Sequence, residues 1–555
     1  MQYNDTIDPR TRQLVTPCRV VTTAGDVRNA DALTLVRPAQ VSLRESGPLC
    51  VLTNPAEGEH ASVLLDFGRE LHGLVSLSVY ARSGVKYPEV RVRLGESVGE
   101  ALTPLGERGT TNDHANRDTV ITVAPYSDNQ TNESGFRFAC IELLTPSASV
   151  TLRAVQATYI FRDLPYIGSF ECSDPKLNEI WKTAAYTVHL NMQRYLWDGI
   201  KRDRLVWAGD MNTEIQTVLA VFGNSCDVVQ KSLDFNRDCT PAGDAMNGIS
   251  AYSLWWLVSH FDWYMGTGDL AYLTEQKDYM EKLLDRFLTY IDENGAETMP
   301  AGRFFDWPNR ACDETTHAGL QGFFRYVLVR AVPMMNVLGN RELAARCAEK
   351  AKLLATHIPD PQGRKQPAAM LALGGIGEPR EWVEKVILPN GAADLSTFLG
   401  YFTLVACARY GHTAEGVQII RDYWGRMLDM GATTFWEDFN IDWAKNATRI
   451  DELPQAGKDD IHGDFGAFCY LNFRHSLCHG WASGPAPFLT KYVLGVRPFK
   501  AGFDTAIVCP NPVGLQWVKG TVPTPHGTIT VEYEDGMTRV DAPKEIKIIE
   551  KPKVY

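Results

Sequence analysis

From Ser173-Asp174-Pro175 to about residue 495 the apolar side chains recur at helical spacing, with no strand-like stretch among them. That run limits the possible folds more than any other feature. Helices with no strands between them must bury their apolar faces against one another. Leu177, Ile180, Trp181, Ala184 and Val188 open the run, with Ser173 read as the N-cap and Pro175 just inside the first turn. Met280, Leu283, Leu284, Phe287, Leu288 and Ile291 form a second stripe, and Leu320, Phe323, Phe324, Val327 and Leu328 a third. Roughly ten to twelve such segments are expected. They carry no sequence repeat, which argues against a solenoid. A closed double ring of helices is the architecture expected.

On either side of that run the period changes. Leu74–Tyr80, Val90–Leu94 and Thr119–Val123 alternate or run short and β-rich between Gly and Pro punctuation, as expected for a β-sandwich. Thr528–Tyr533 alternates strictly, with Leu515–Val518 upstream, and reads as a small closing β-domain. The expected organisation is multidomain α + β: an N-terminal β-sandwich over 1-165, a helical barrel over 166-497 and a C-terminal β-domain over 498-555.

Composition excludes some functions. The net charge of -12, with no lysine- or arginine-rich block, disfavours nucleic acid as a partner. No apolar run approaches a membrane span, and Met1-Gln2-Tyr3-Asn4-Asp5 lacks a leader pattern, so a cytoplasmic location is expected. The twelve cysteines are scattered without a Cys-x-x-Cys pair and read mostly as reduced, buried small hydrophobes. No phosphate-binding glycine loop, dinucleotide fingerprint or nucleophile elbow occurs, so no cofactor is expected.

The densest polar cluster is Trp197-Asp198-Gly199-Ile200-Lys201-Arg202-Asp203-Arg204-Leu205-Val206-Trp207-Ala208-Gly209-Asp210. As a bland feature it is a solvated loop of ion pairs. Its interleaved aromatics point instead to a sugar site, where rings stack on apolar faces and carboxylates and arginine bind hydroxyls. Gly431–Phe439 sets Glu437 and Asp438 beside Phe435, Trp436 and Phe439. It fits either a pocket carboxylate or a helix start capped by Thr434 with Glu437 as its capping-box partner. Phe304-Phe305-Asp306-Trp307-Pro308 and Arg474–Pro485 complete the set. His475 and His479 would share a helix face, but Ser476 stands where a zinc motif needs glutamate and Gly480 ends a helix, so no metal is expected. Trp255, Trp256, His260 and Trp263 load one helix with rings, either core or sugar platform. Two acids far apart in sequence and set among aromatics suit acetal hydrolysis, which needs one proton donor and one group to activate water or attack.

At these residues the sequence resembles glycoside hydrolase family 78, the α-L-rhamnosidases. The resemblance runs through Leu65–Glu70 and Ser134–Phe138, Asp198-x-x-x-Arg202-Asp203 with Trp207-Ala208-Gly209-Asp210, Gly431-Ala432-Thr433-Thr434 with Trp436-Glu437, His479-Gly480-Trp481, and Trp517–Gly520. It implies a catalytic (α/α)6 barrel with accessory β-domains and inverting removal of terminal α-L-rhamnose from small rhamnosides, flavonoid glycosides or oligosaccharides. By resemblance Glu437 is the general base, and Asp198, Arg202, Trp207 and Asp210 bind the sugar. Trp256, Trp307 and His479 join them as subsite residues. The family's usual Arg-Asp-Glu-Arg is one residue shorter here, Arg202-Asp203-Arg204, and Asp203, the only carboxylate between the arginines, takes the general-acid role. A homodimer is the expected assembly. Another sugar, a lyase or phosphorylase on the same barrel, or a sugar-binding relative without turnover, are the alternatives.

Overall fold

The computed structural model describes residues 7–224, 226–300 and 302–550. Met1–Asp5, on which the leader expectation rests, lies outside them. Six inner helical segments follow one another round a ring: Met211–Val221, Ser250–Thr267, Asp313–Val337, Lys365–Gly374, Thr397–Arg409 and the paired turns Gly480–Ser483 and Pro485–Phe488. Each packs on the next and the last packs back on the first. Outer helices alternate with them in sequence, among them Pro175–Asn191, Val228–Asp238, Lys277–Leu288, Arg341–Leu354 and Thr413–Asp429. The helical stripes of the sequence are the buried faces of this double ring: Met280, Leu283, Leu284, Phe287 and Leu288 on Lys277–Leu288, and Leu320 through Leu328 on Asp313–Val337.

The entry to the ring corrects one expectation. Asp174, not Ser173, is the N-cap, because Pro175 already occupies the first helical position. The Asp174 carboxylate accepts the Lys176 N–H at 2.9 Å, whereas the Ser173 hydroxyl accepts the Gln516 N–H at 3.0 Å. Ser173 therefore ties the first helix to the C-terminal part of the chain.

The N-terminal domain is one hydrogen-bonded ten-stranded sheet. Its spine is the 22-residue strand Ser62–Ser83, longer than the short strands the sequence suggests. Pairing shifts between Asp66 and Leu71, around Gly68 with its φ of 88°. Before the shift the strand pairs with Arg19–Ala24, after it with Ser149–Phe161, so one strand serves two layers. The C-terminal part is a four-stranded sheet, Ser169–Cys172, Trp517–Thr524, Gly527–Glu534 and Met537–Asp541, beside a three-stranded one that begins at Val496–Pro498. Strand Ser169–Cys172 lies within the stretch read as barrel, yet it pairs antiparallel with Trp517–Thr524. Its four residues alternate in burial as an ordinary sheet strand does.

Leu190, Ile200 and Cys478 come from the helical part but pack in the N-terminal apolar core. Ile200 and Cys478 belong to the two loops singled out by their chemistry, so the sheet is the bed on which those loops lie. Among the described residues no helix is long and apolar enough to cross a membrane.

Candidate active site

The loops at one end of the ring enclose a cavity of about 290 Å³, lined by Asp198, Arg202, Asp203, Trp207, Asp210, Trp307, Glu437 and His479. Residues from four separate sequence clusters thus meet in one space. Glu437 sits at a bend in irregular loop, not at a helix start, so the capping-box alternative falls away. Its backbone N–H donates to the Ser476 carbonyl at 3.0 Å and its own carbonyl accepts the Trp481 indole N–H at 2.8 Å. The Thr434 hydroxyl donates to the Leu477 carbonyl at 2.7 Å, stitching the same two loops.

Arg202 is the centre of the site. One amino group of its guanidinium bonds both carboxylate oxygens of Glu437, and the other lies 3.0 Å from Asp203 Oδ1. The Ser476 N–H adds a contact of 3.2 Å to Glu437 Oε2, and His479 Nδ1 stands 3.8 Å from Oε1. Burial works to raise the Glu437 pKa, but the Arg202 guanidinium and His479 outweigh it and hold the group at about 2. Asp198 and Asp210 go the other way. Burial and the nearby Asp210 and Asp203 carboxylates push Asp198 well above the usual carboxylate range. Burial also raises Asp210, against the hydrogen bond from His479 Nε2 at 2.9 Å.

Asp203 and Arg204 both adopt left-handed backbone, with φ of 58° and 55°. Two such residues in a row, neither of them glycine, are rare and cluster at functional sites. The tight loop is closed by Asp198, whose Oδ1 accepts the Leu205 N–H at 2.9 Å and whose own N–H donates to the Leu205 carbonyl at 3.1 Å. Asp203 is braced from outside by His114 of the N-terminal domain. Its N–H lies 2.6 Å from His114 Nδ1, and the same nitrogen is 3.1 Å from Asp203 Oδ1. Trp307 is presented by Asp306, whose buried carboxyl accepts the Trp307 N–H at 2.9 Å and the Ser396 hydroxyl at 3.0 Å. Burial pushes Asp306 up to about 8.

Trp256 is the correction. It is fully buried, donates its indole N–H to the Leu233 carbonyl at 2.9 Å and packs on His260 and Tyr279. It packs toward the outer helices Val228–Asp238 and Lys277–Leu288 and is not among the cavity's lining residues. Tyr252, one turn earlier on the same helix, lines the cavity instead, its hydroxyl 3.4 Å from Asp210 Oδ2. Phe304 and Trp481, already within the aromatic clusters, are wall residues too, as are Cys469 and Tyr470, which no motif marks. His475 and His479 do not share a helix. His475 closes a 3-10 turn and accepts the Asp438 N–H at 2.9 Å, while His479 follows in extended backbone.

A closed helical double ring thus holds an arginine-clamped acid among aromatic rings. Residues 165–360 match the bacterial α-L-rhamnosidase six-hairpin glycosidase domain and residues 495–544 the bacterial α-L-rhamnosidase C-terminal domain. Both matched stretches are therefore similar to parts of bacterial α-L-rhamnosidases. An α-L-rhamnosidase of Streptomyces avermitilis is 22% identical over 90% of this chain and 49% of its own length. One of Formosa agariphila is 21% identical over 93% and 57%. The chain thus spans about half the length of these curated relatives. Among solved structures, a family 78 rhamnosidase of Bacillus sp. GL1 superposes with a TM-score of 0.75 at 22% identity, over 94% of this chain and 55% of that one. A rhamnosidase of Klebsiella oxytoca with rhamnose bound gives 0.69 at 21%, over 87% and 96%. At these identities the superpositions establish the fold.

Proposed function

We propose that this chain hydrolyses terminal α-L-rhamnosides with inversion, Asp203 acting as general acid and Glu437 as general base. The observation that carries the reading is the Arg202 guanidinium with one carboxylate on each edge, Glu437 buried and charged, Asp203 partly exposed, both lining the cavity. The two acids flank the Arg202 guanidinium, and inversion works with two carboxyl groups roughly 6.5–9.5 Å apart. The relatives' printed activities point the same way. Asp203 gives its proton to the glycosidic oxygen as the bond to the anomeric carbon breaks. Glu437 takes a proton from the water that attacks the opposite face. Asp198, Asp210 and His479 are placed to bind ring hydroxyls, and Trp207, Tyr252, Phe304 and Trp481 offer apolar surface to the ring and its methyl group. The substrates are small rhamnosylated molecules, and the reaction needs no cofactor.

A second donor has its own supporting observation. Asp198 also lines the cavity and holds its proton more firmly than a carboxyl in water. Asp203→Asn and Asp198→Asn, assayed on alkyl and dinitrophenyl α-L-rhamnosides, separate the two. Loss of the acid should cost on the order of a hundredfold or more on the poor alkyl leaving group and little on the activated one. That pattern is expected for Asp203→Asn. Its appearance in Asp198→Asn alone would reassign the role.

A further inference from the structure

Behind the cavity wall lies a charged cluster that the reaction does not use. Lys201, next to Arg202, is 1% exposed. Its ammonium donates to the carbonyls of Phe473 at 2.8 Å and His475 at 2.6 Å, and lies 3.1 Å from a carboxylate oxygen of each of Glu96 and Glu100. Both glutamates come from the N-terminal domain: Glu96 directly follows strand Glu89–Gly95, and Glu100 lies in the short helix Val98–Leu102. Glu100 also pairs with buried Arg117, so two cations balance two anions. Glu96, Glu100 and His462 converge as a metal-binding set would, but the Lys201 ammonium already supplies positive charge to both carboxylates.

Two routes lead from Glu96 to the catalytic pair. Through Lys201 it holds the backbone that carries Arg202 and Asp203. Through the Leu477 N–H, which it accepts at 2.7 Å, it holds Ser476, whose N–H and carbonyl both bond Glu437. Close packing adds to this. A Cβ at Gly135 of the sheet would lie 2.9 Å from the Ile200 carbonyl carbon and the Lys201 nitrogen, so only glycine lets the sheet backbone approach the loop. We infer that Glu96 and Lys201 are positioning residues that make the N-terminal β-domain part of the catalytic apparatus, setting the Asp203 and Glu437 arms relative to one another. This rests on the hydrolase reading above, since it is that pair whose separation matters.

Lys201→Met alone would leave buried carboxylates uncompensated and could fail through stability. The double variant Lys201→Met/Glu96→Gln removes one charge of each sign and leaves Arg117 with Glu100. It should melt within a few degrees of wild type, while kcat on p-nitrophenyl α-L-rhamnopyranoside falls on the order of a hundredfold with KM little changed. Amide hydrogen exchange should speed up in peptides covering 197–210 and 473–480. Glu96→Asp, which keeps the charge but withdraws it by one methylene, should lose about tenfold in kcat at unchanged melting temperature. Wild-type kcat and wild-type exchange in both variants would overturn the inference. Exchange reads positioning without turnover, so an inactive wild type would sink the hydrolase reading and still leave exchange to decide this one.

Discussion

Arg202 lies between the two carboxylates on which the proposed chemistry depends, and its effect on Glu437 has a definite sign. Burial alone would lift the Glu437 pKa above 4.5, and the guanidinium and His479 bring it to about 2. The depressed value stabilises the fold fully above about pH 4.5, and that contribution fades as pH falls toward 2. It also means that Glu437 is ionised throughout the neutral and mildly acidic range. Arg202→Met leaves burial unopposed by the guanidinium. The acidic limb of the kcat/KM profile should move up by roughly one to three pH units, with Arg202→Lys restoring most of the wild-type profile. Circular dichroism checks the fold of both variants. An acidic limb that stays in place in Arg202→Met would mean that Arg202 does not set the charge of Glu437.

Helix Ser250–Thr267 shows how far local sequence reaches. Its run of rings fits an inner helix of the barrel, most of whose residues are buried. Spacing along the helix does not say what each ring meets, so Trp256, packed on the outer helices, reads like Tyr252, which lines the cavity. Tyr252→Phe should raise KM for a simple rhamnoside several-fold by removing the hydroxyl next to Asp210. Trp256→Phe should leave kcat and KM within about twofold and lower stability by about 1–3 kcal/mol. The opposite pattern in steady-state kinetics and denaturant melts would return Trp256 to the sugar site. The same limit applies elsewhere. The stripes on Lys277–Leu288 and Asp313–Val337 were legible because a helix's buried face is written at short range. The Trp197–Asp210 loop was legible because charges and tryptophans rarely crowd without reason. The pairing of Ser169–Cys172 with Trp517–Thr524 and the cage of Glu96, Glu100 and His462 round Lys201 were not legible, since each partner is ordinary in its own neighbourhood. His114 carries no local signal either, and only the fold brings it to Asp203.

At the scale of the whole molecule, the three parts share their cores more than the sequence boundaries suggest. The C-terminal sheet takes a strand from the chain just before helix Pro175–Asn191, and the N-terminal core takes in Ile200 and Cys478 from the cavity loops. The ring supplies walls of the cavity, the N-terminal sheet supports the loops that carry the acids, and single inversion is the chemistry proposed for them. Proton NMR of an α-L-rhamnoside incubated with wild type and with Glu437→Gln tests that reading most directly. Wild type should release β-L-rhamnose first, which then mutarotates, and Glu437→Gln should be slower by roughly a thousandfold. First-formed α-anomer, or near-wild-type turnover by Glu437→Gln, would contradict it.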